Sequence, residues 1–381
     1  MHTHPGKTGR ILSRRGFLAC GSAGLLAATG TALGGTPSIQ EYSRGGMVYR
    51  RLGRTSIDVS LLSFGSHTDW RYKPPEGSSS DLTLEGQQRR DRIAAHAVDL
   101  GINMFDVYPG QWEATARYIK GRRDKFVLSL ATEYPGQFTG YRDGKDIERA
   151  ARLFGYVDMW RFWTEPANAV DGKMLEWWDT LRKGKEAGLI RAIGVASHTE
   201  RIVNQAVEAL EGLDYVFIPY NFIHAVADYG EFVSLATSKG IGIVGMKPLA
   251  AGSIRGLDPS SRTRGKPGSE PMQVWISRFN RSRPLLAAAA AELTRNLDRM
   301  EDETLCQAAM RFAYSRPFLS TALCGMQDDV ELVDNYRALA RYREMQPEEH
   351  ASLDAARRLV RLRGTAWLPA HYRWLEEQWG V

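Results

Sequence analysis

The chain has 381 residues and a mass of 42.6 kDa, with 43% hydrophobic, 25% charged and 10% aromatic residues. That balance excludes a disordered, collagen-like or disulfide-scaffold protein, and the length is enough to bury a full core. The formal charge is +6, but Lys7, Arg10, Arg14 and Arg15 stand in the first 34 residues without an acid, leaving +2 for the rest, so the basicity makes no case for nucleic-acid binding.

Ser13-Arg14-Arg15-Gly16-Phe17-Leu18 opens a short uncharged Gly/Ala/Leu stretch that ends in small residues. The three-part pattern predicts an export signal over 1–34, and the arginine pair before Phe-Leu resembles the twin-arginine type. That route carries folded proteins, so a periplasmic or exported location and the twin-arginine machinery as a partner are expected. The apolar part is too short for a stable membrane span. Cys20 lies inside this leader. Cys306 and Cys324 alone make neither a zinc nor an iron–sulfur site, and a disulfide between them is open but not indicated.

A linker is expected over 35–46. Apolar, β-branched runs follow at Leu61–Phe64, Ile102–Phe105, Phe126–Ala131, Tyr156–Phe162, Ala192–Val195, Tyr215–Ile218, Ile241–Val244 and Thr321–Cys324. Helical patterns lie between them, among them Gln87–Leu100, Lys173–Ala187, Arg201–Leu210, Glu231–Lys239, Leu305–Tyr314 and Val330–Ala340. Strands alternating with helices predict an α/β fold, one (β/α)8 barrel over 47–345, interrupted by an insertion over 253–300 after the seventh strand. A helical extension over 346–381 carries Trp367, Trp374 and Trp379. Gly240-x-Gly242-x-x-Gly245 spells the dinucleotide fingerprint, but it runs along the seventh strand rather than from a strand into a helix, so it is read as accidental.

Several stretches resemble the aldo-keto reductase superfamily: Arg51-Leu52-Gly53-Arg54-Thr55, Ser60 to Gly65, Gly101-Ile102-Asn103-Met104-Phe105-Asp106, Gly188 to Val195, Tyr220-Asn221, Pro248-Leu249-x-x-Gly252, and Gly325 with Asn335. The resemblance runs in order over about 47–340. It implies an oxidoreductase barrel acting on a carbonyl or alcohol, with NAD(P) across the C-terminal strand ends. The family's reaction uses Tyr as proton donor, Lys beside it, Asp holding the Lys, and His orienting the substrate. Asp106 matches the Asp. The Tyr position holds Gln111, followed by Trp112, and only Tyr108 offers a nearby phenol. Thr132-Glu133 replaces Thr-Lys, and Trp163 replaces the His, five residues after Asp158. A Glu near the phenol disfavours phenolate, and Asp106 and Glu133 on adjacent strands repel unless a cation intervenes. Strand parity turns Arg161 inward with Trp163, which predicts that Arg161 pairs with Glu133 or Asp106.

The resemblance also places the cofactor. Ala196, Ser197, Phe217, Met246, Lys247, Leu249, Gly252, Gly325, Asp328 and Asn335 occupy the family's contact positions. Phe217 and Met246 replace an amide-holding Gln and a stacking Tyr, and Lys247 is either a phosphate contact or a solvated strand end. Asp328 and Glu331 replace basic residues, and two carboxylates there repel a 2′-phosphate, favouring NAD over NADP. Two further readings stand beside the oxidoreductase. One is a catalytically silent relative that binds a ligand in the same cleft, with Trp163 and Phe217 filling the nicotinamide space. The other is metal-assisted chemistry from His67, Asp106, Glu133, His198 and His224 near strand ends, although no short ligand motif supports it. Trp70, Trp112, Trp160 and Trp163 either line a cleft or pack.

Overall fold

The computed structural model describes residues 39–76, 80–131, 144–164, 172–198, 200–222, 231–249 and 303–341, with 170, 347 and 351 beside them. The leader, the insertion over 253–300 and all but two residues of the C-terminal extension lie outside them, as do the tryptophans of that extension.

Three short strands come first: β1 (Glu41–Arg44), β2 (Met47–Arg51) and β3 (Asp58–Ser60), antiparallel in the order β1-β2-β3. This corrects the expected linker over 35–46, because Glu41 to Arg44 pair with Met47 to Arg50 across the Gly45-Gly46 turn. All four β1 residues are exposed, so no apolar alternation marks the strand in the sequence.

Eight parallel strands then close a barrel: β4 (Leu62–Phe64), β5 (Met104–Val107), β6 (Val127–Ala131), β7 (Val157–Thr164), β8 (Ile190–Ser197), β9 (Tyr215–Pro219), β10 (Gly242–Met246) and β11 (Leu319–Cys324). Each overlaps one of the eight apolar runs. Around it lie α1 (Leu84–Asp99), α2 (Trp112–Ile119), α3 (Lys145–Phe154), α4 (Gly172–Glu186), α5 (Glu200–Ala209), α6 (Phe232–Ser238), α7 (Leu305–Tyr314) and α8 (Asp329–Arg337). The strands are apolar on both faces because one face meets helices and the other fills the barrel. The outer shell includes Phe64, Trp160, Ile193, Ile218 and Leu319, while Met104, Val127, Met159, Ala192 and Val244 fill the interior. Burying a large aliphatic or aromatic side chain contributes about 1.5–3 kcal/mol, so these two shells supply most of the driving force.

Leu52, Ile57 and Val59 of the β2–β3 hairpin join the interior cluster and plug the barrel. Here the fingerprint glycines find their reason. A Cβ on Gly53 would stand 2.4 Å from the backbone of Gly240 and Gly242, so hairpin and β10 touch main chain to main chain. Gly242 and Gly245 lie on β10 and Gly240 in the turn before it, so the run leads into a strand and not into a helix. Arg50, 1% exposed, donates to the carbonyl oxygens of Tyr314, Arg316 and Leu319 and to Glu41, tying hairpin to barrel.

Candidate active site at the C-terminal mouth of the barrel

Chemistry in such barrels sits at the C-terminal strand ends, where loops from different strands converge. Asp106 on β5 points inward and is 1% exposed. Arg161, on β7 and equally buried, meets it with both arms: Nη1 donates to Oδ1 at 2.6 Å and Nη2 to Oδ2 at 3.0 Å. Ser129 on β6 stands between them, donating from Oγ to Asp106 at 3.0 Å and accepting from Arg161 Nη1 at 2.8 Å. Burial opposes the guanidinium charge, yet the Asp106 carboxylate outweighs it and holds Arg161 above its ordinary value. The inward pairing expected from strand parity is therefore observed, with Asp106 as the partner. Ser129 went unnoticed in the sequence, although it is the one polar residue of Val127–Ala131.

The strands explain this geometry. Arg161 pairs in register with Gly194, and Gly194 with Tyr215; a Cβ on Gly194 would meet the Tyr215 ring at 2.5 Å. The missing side chain admits the tyrosine beside the ion pair. One inward step toward the mouth, Trp163, Ala196 and Phe217 stand in register. The Phe217 ring lies 3.9 Å from the Arg161 guanidinium carbon, a cation–π contact, and has no exposed surface.

Tyr108 follows Asp106 on the same face of the chain, packs on the interior cluster and is half-buried. Pro109–Gln111 forms a single 3-10 turn, which carries Gln111 off the mouth to donate to the Ser80 carbonyl at 2.9 Å. Trp112 opens α2 and sets its ring edge-on to Trp160 at 5.8 Å; both are buried outside the barrel wall, so these two indoles pack rather than line a cleft. The side chains of Trp70 and Trp163 are not among those described, and neither Thr132 nor Glu133 is among the described residues.

One basic ring stands against Tyr108 from another strand end, and further basic groups lie around it. The His67 ring, in the loop after β4, stands edge-on to Tyr108 at 6.3 Å. The surrounding walls desolvate this imidazole and, with Lys247, Lys73 and Arg90, lower it to about 4, against a weaker pull from Asp106. Arg90 lies over Phe64 at 4.8 Å, donates to the Gly65 carbonyl, and is lowered by burial to about 10. Lys247, just beyond β10, is the one described non-glycine residue with positive φ, +58°. Its carbonyl accepts from Asn221 Nδ2 at 3.1 Å, and its Nζ stands 2.6 Å from Nε2 of His198, a buried residue at the end of β8. This pair went unseen in the sequence, where 49 residues separate its members.

The remaining expected contacts divide by depth. Ala196, Ser197 and Met246 are buried, Leu249 is half-buried against the outer core, and Gly325 follows β11. Asn335 is buried and donates from Nδ2 to Cys324 Sγ at 3.3 Å. Asp328 caps α8 by accepting from the Glu331 backbone, and Glu331 accepts from the Gln327 backbone. Gly252 and His224 lie outside the described residues. Among the described residues no three His, Cys, Asp or Glu side chains come together as metal ligands, and Cys306 and Cys324 are both buried and not joined in a disulfide. No described helix is long and apolar enough to cross a membrane.

Comparison with known proteins bears on the fold and the family. An aldo-keto reductase of Bacillus halodurans, AKR11C1, matches in its holo form with a TM-score of 0.58 at 17% identity, over 81% of this chain and 95% of that one. Its apo form matches over the same shares with a TM-score of 0.56 at 17% identity. The putative aldo-keto reductase PA4992 of Pseudomonas aeruginosa matches with a TM-score of 0.53 at 20% identity, over 77% of this chain and 95% of that one. None of the curated proteins matches. The Aldo/keto reductase family profile matches residues 84–358, well over half of the sequence. The chain belongs to the aldo/keto reductase family.

Proposed function

We propose that this protein is an NAD-linked oxidoreductase acting on a small carbonyl or alcohol, with Tyr108 as proton donor in place of the family's usual tyrosine. The observation that carries this reading is the buried Asp106–Arg161 pair on the same inward face as Tyr108. A guanidinium near a phenol favours the negative charge that the phenol takes on as it gives up its proton. The electrostatic neighbours of Arg161 include Tyr108 as well as Asp106. His67, edge-on to Tyr108 and neutral above about pH 4, can orient a carbonyl oxygen without carrying charge.

The donor set at the adenosine end fits NAD. The carboxylates of Asp328 and Glu331 each accept from a backbone N–H at the start of α8; with an oxygen of each left over, they would accept from an unphosphorylated ribose and repel a 2′-phosphate. Ser197, Leu249 and Gly325 complete the contacts that would hold the dinucleotide, while Phe217 offers a nicotinamide amide no hydrogen bond. When bound, the dinucleotide supplies or accepts hydride. The protein's own part is to hold the substrate oxygen at Tyr108, give it a proton, and keep Asp106 and Arg161 out of water beneath.

NADH oxidation with 4-nitrobenzaldehyde as the carbonyl probe tests the reading: the wild type turns over, and Tyr108→Phe loses about two orders of magnitude. A second reading, a silent relative that binds a ligand, draws on one observation, the complete burial of Phe217 at the position where the family holds the nicotinamide amide. Failure of NADH to bind in calorimetry favours that alternative. The twin-arginine-type leader supports a further proposal, that the folded protein is exported to the periplasm.

A further inference from the structure

The mouth holds a second reactive pair that the proposed reaction does not use. Lys247 Nζ and His198 Nε2 lie 2.6 Å apart, which requires one proton between two basic nitrogens. Were both charged, they would repel at contact, so the geometry suits one amine and one imidazole that share a proton. Several features fix the lysine there. Its backbone sits at φ +58°, a left-handed conformation that a non-glycine residue rarely adopts, and Asn221 ties its carbonyl. Its side chain is half-buried, while the imidazole it meets is 5% exposed. Strain kept at a strand end of the barrel mouth, where chemistry gathers, points to use of the side chain.

We propose that Lys247 is a nucleophile that forms an imine with aldehyde or ketone ligands, with His198 as its acid–base partner. In the first step the ammonium passes a proton to His198 Nε2, leaving a neutral amine. The amine nitrogen bonds to the carbonyl carbon as the C=O π pair moves to oxygen, and a proton shifts from nitrogen to that oxygen, giving a carbinolamine. His198 then returns its proton to the hydroxyl. The C–O bond breaks, water leaves, and the nitrogen lone pair closes a C=N bond. One ammonium and one carbonyl become one protonated imine and one water, with no oxidant or reductant.

This inference shares with the proposed oxidoreductase only the substrate class, and its test needs no dinucleotide. Acetylacetone converts a reactive lysine amine to a stable enaminone, which absorbs in the ultraviolet and adds a fixed mass. The purified full chain is expected to take up one label, mapped to Lys247 by peptide mass analysis. Lys247→Met and Lys247→Arg should lose that label, and His198→Gln should slow it on the order of a hundredfold. Circular dichroism of each variant confirms folding, and the His198→Gln rate stands by itself if Lys247→Met does not fold. Labelling spread over several lysines, or an unchanged rate in His198→Gln, overturns the proposal. Labelling of Lys247 in a protein that shows no hydride transfer upholds it while defeating the oxidoreductase reading.

Discussion

Arg161 and Asp106 form a salt bridge in which neither side chain reaches solvent, and that fixes what their removal costs. Arg161→Leu leaves a buried carboxylate uncompensated, so denaturant unfolding should show a loss of about 3–5 kcal/mol. Replacing both residues by leucine should cost much less than the sum of the single changes, because no charge is then left alone. The imidazole of His67 supplies a pH prediction. Its folded value, about 4, lies below the 6.5 of an unfolded histidine, so the unfolded chain binds more protons between those values. Its contribution is present above pH 6.5 and is lost as pH falls toward 4; His67→Gln should flatten that part of the stability curve. The residue is exposed, so solvent screens the shift and the effect on stability is small; NMR should find the imidazole titrating below the ordinary histidine value. Some of this chemistry was legible in the sequence. Strand parity turns Arg161 inward, and the family resemblance marks Asp106. Ser129, and the meeting of Lys247 with His198, depend on closure of the barrel across strands that sequence spacing does not connect.

The same contrast holds for whole elements. The eight barrel strands stand out because both faces are buried and their composition is continuous. The hairpin strand β1 carries no such signal, being exposed throughout, and its expected role as a linker fails for that reason. Helix α3 was readable after the fact, with Ile147, Ala150 and Phe154 buried at helical spacing beneath a charged surface. Two strand-start carboxylates hold neighbouring strands in register. Asp158 accepts from the Leu128 backbone and from Arg123 and Arg191, and Asp214 accepts from the Ile193 backbone. Asp158→Ala strands two guanidinium partners and one buried N–H, so its unfolding free energy should fall by about 3 kcal/mol. At α7 the Thr304–Gln307 capping box satisfies two backbone donors, and Thr304→Ala should cost about 1 kcal/mol in the same measurement.

At the scale of the molecule, the fold follows from the alternation of strands and helices, and the family match spans residues 84–358. Family resemblance located the mouth and Asp106, but it aligned Gln111 with the tyrosine, and a 3-10 turn sends that side chain to Ser80. Tyr108 is what remains on the inward face. The leader carries its own test: replacing Arg14 and Arg15 with lysine should keep the protein in the cytoplasm of an exporting host, read by fractionation. The central claim is that Tyr108 delivers the proton over the buried Asp106–Arg161 pair. It is tested most directly by NADH oxidation with 4-nitrobenzaldehyde in wild type and Tyr108→Phe, with NADH affinity measured alongside. The account predicts turnover in the wild type and a loss of about a hundredfold in the variant at unchanged NADH affinity. Equal turnover in the two proteins would contradict it.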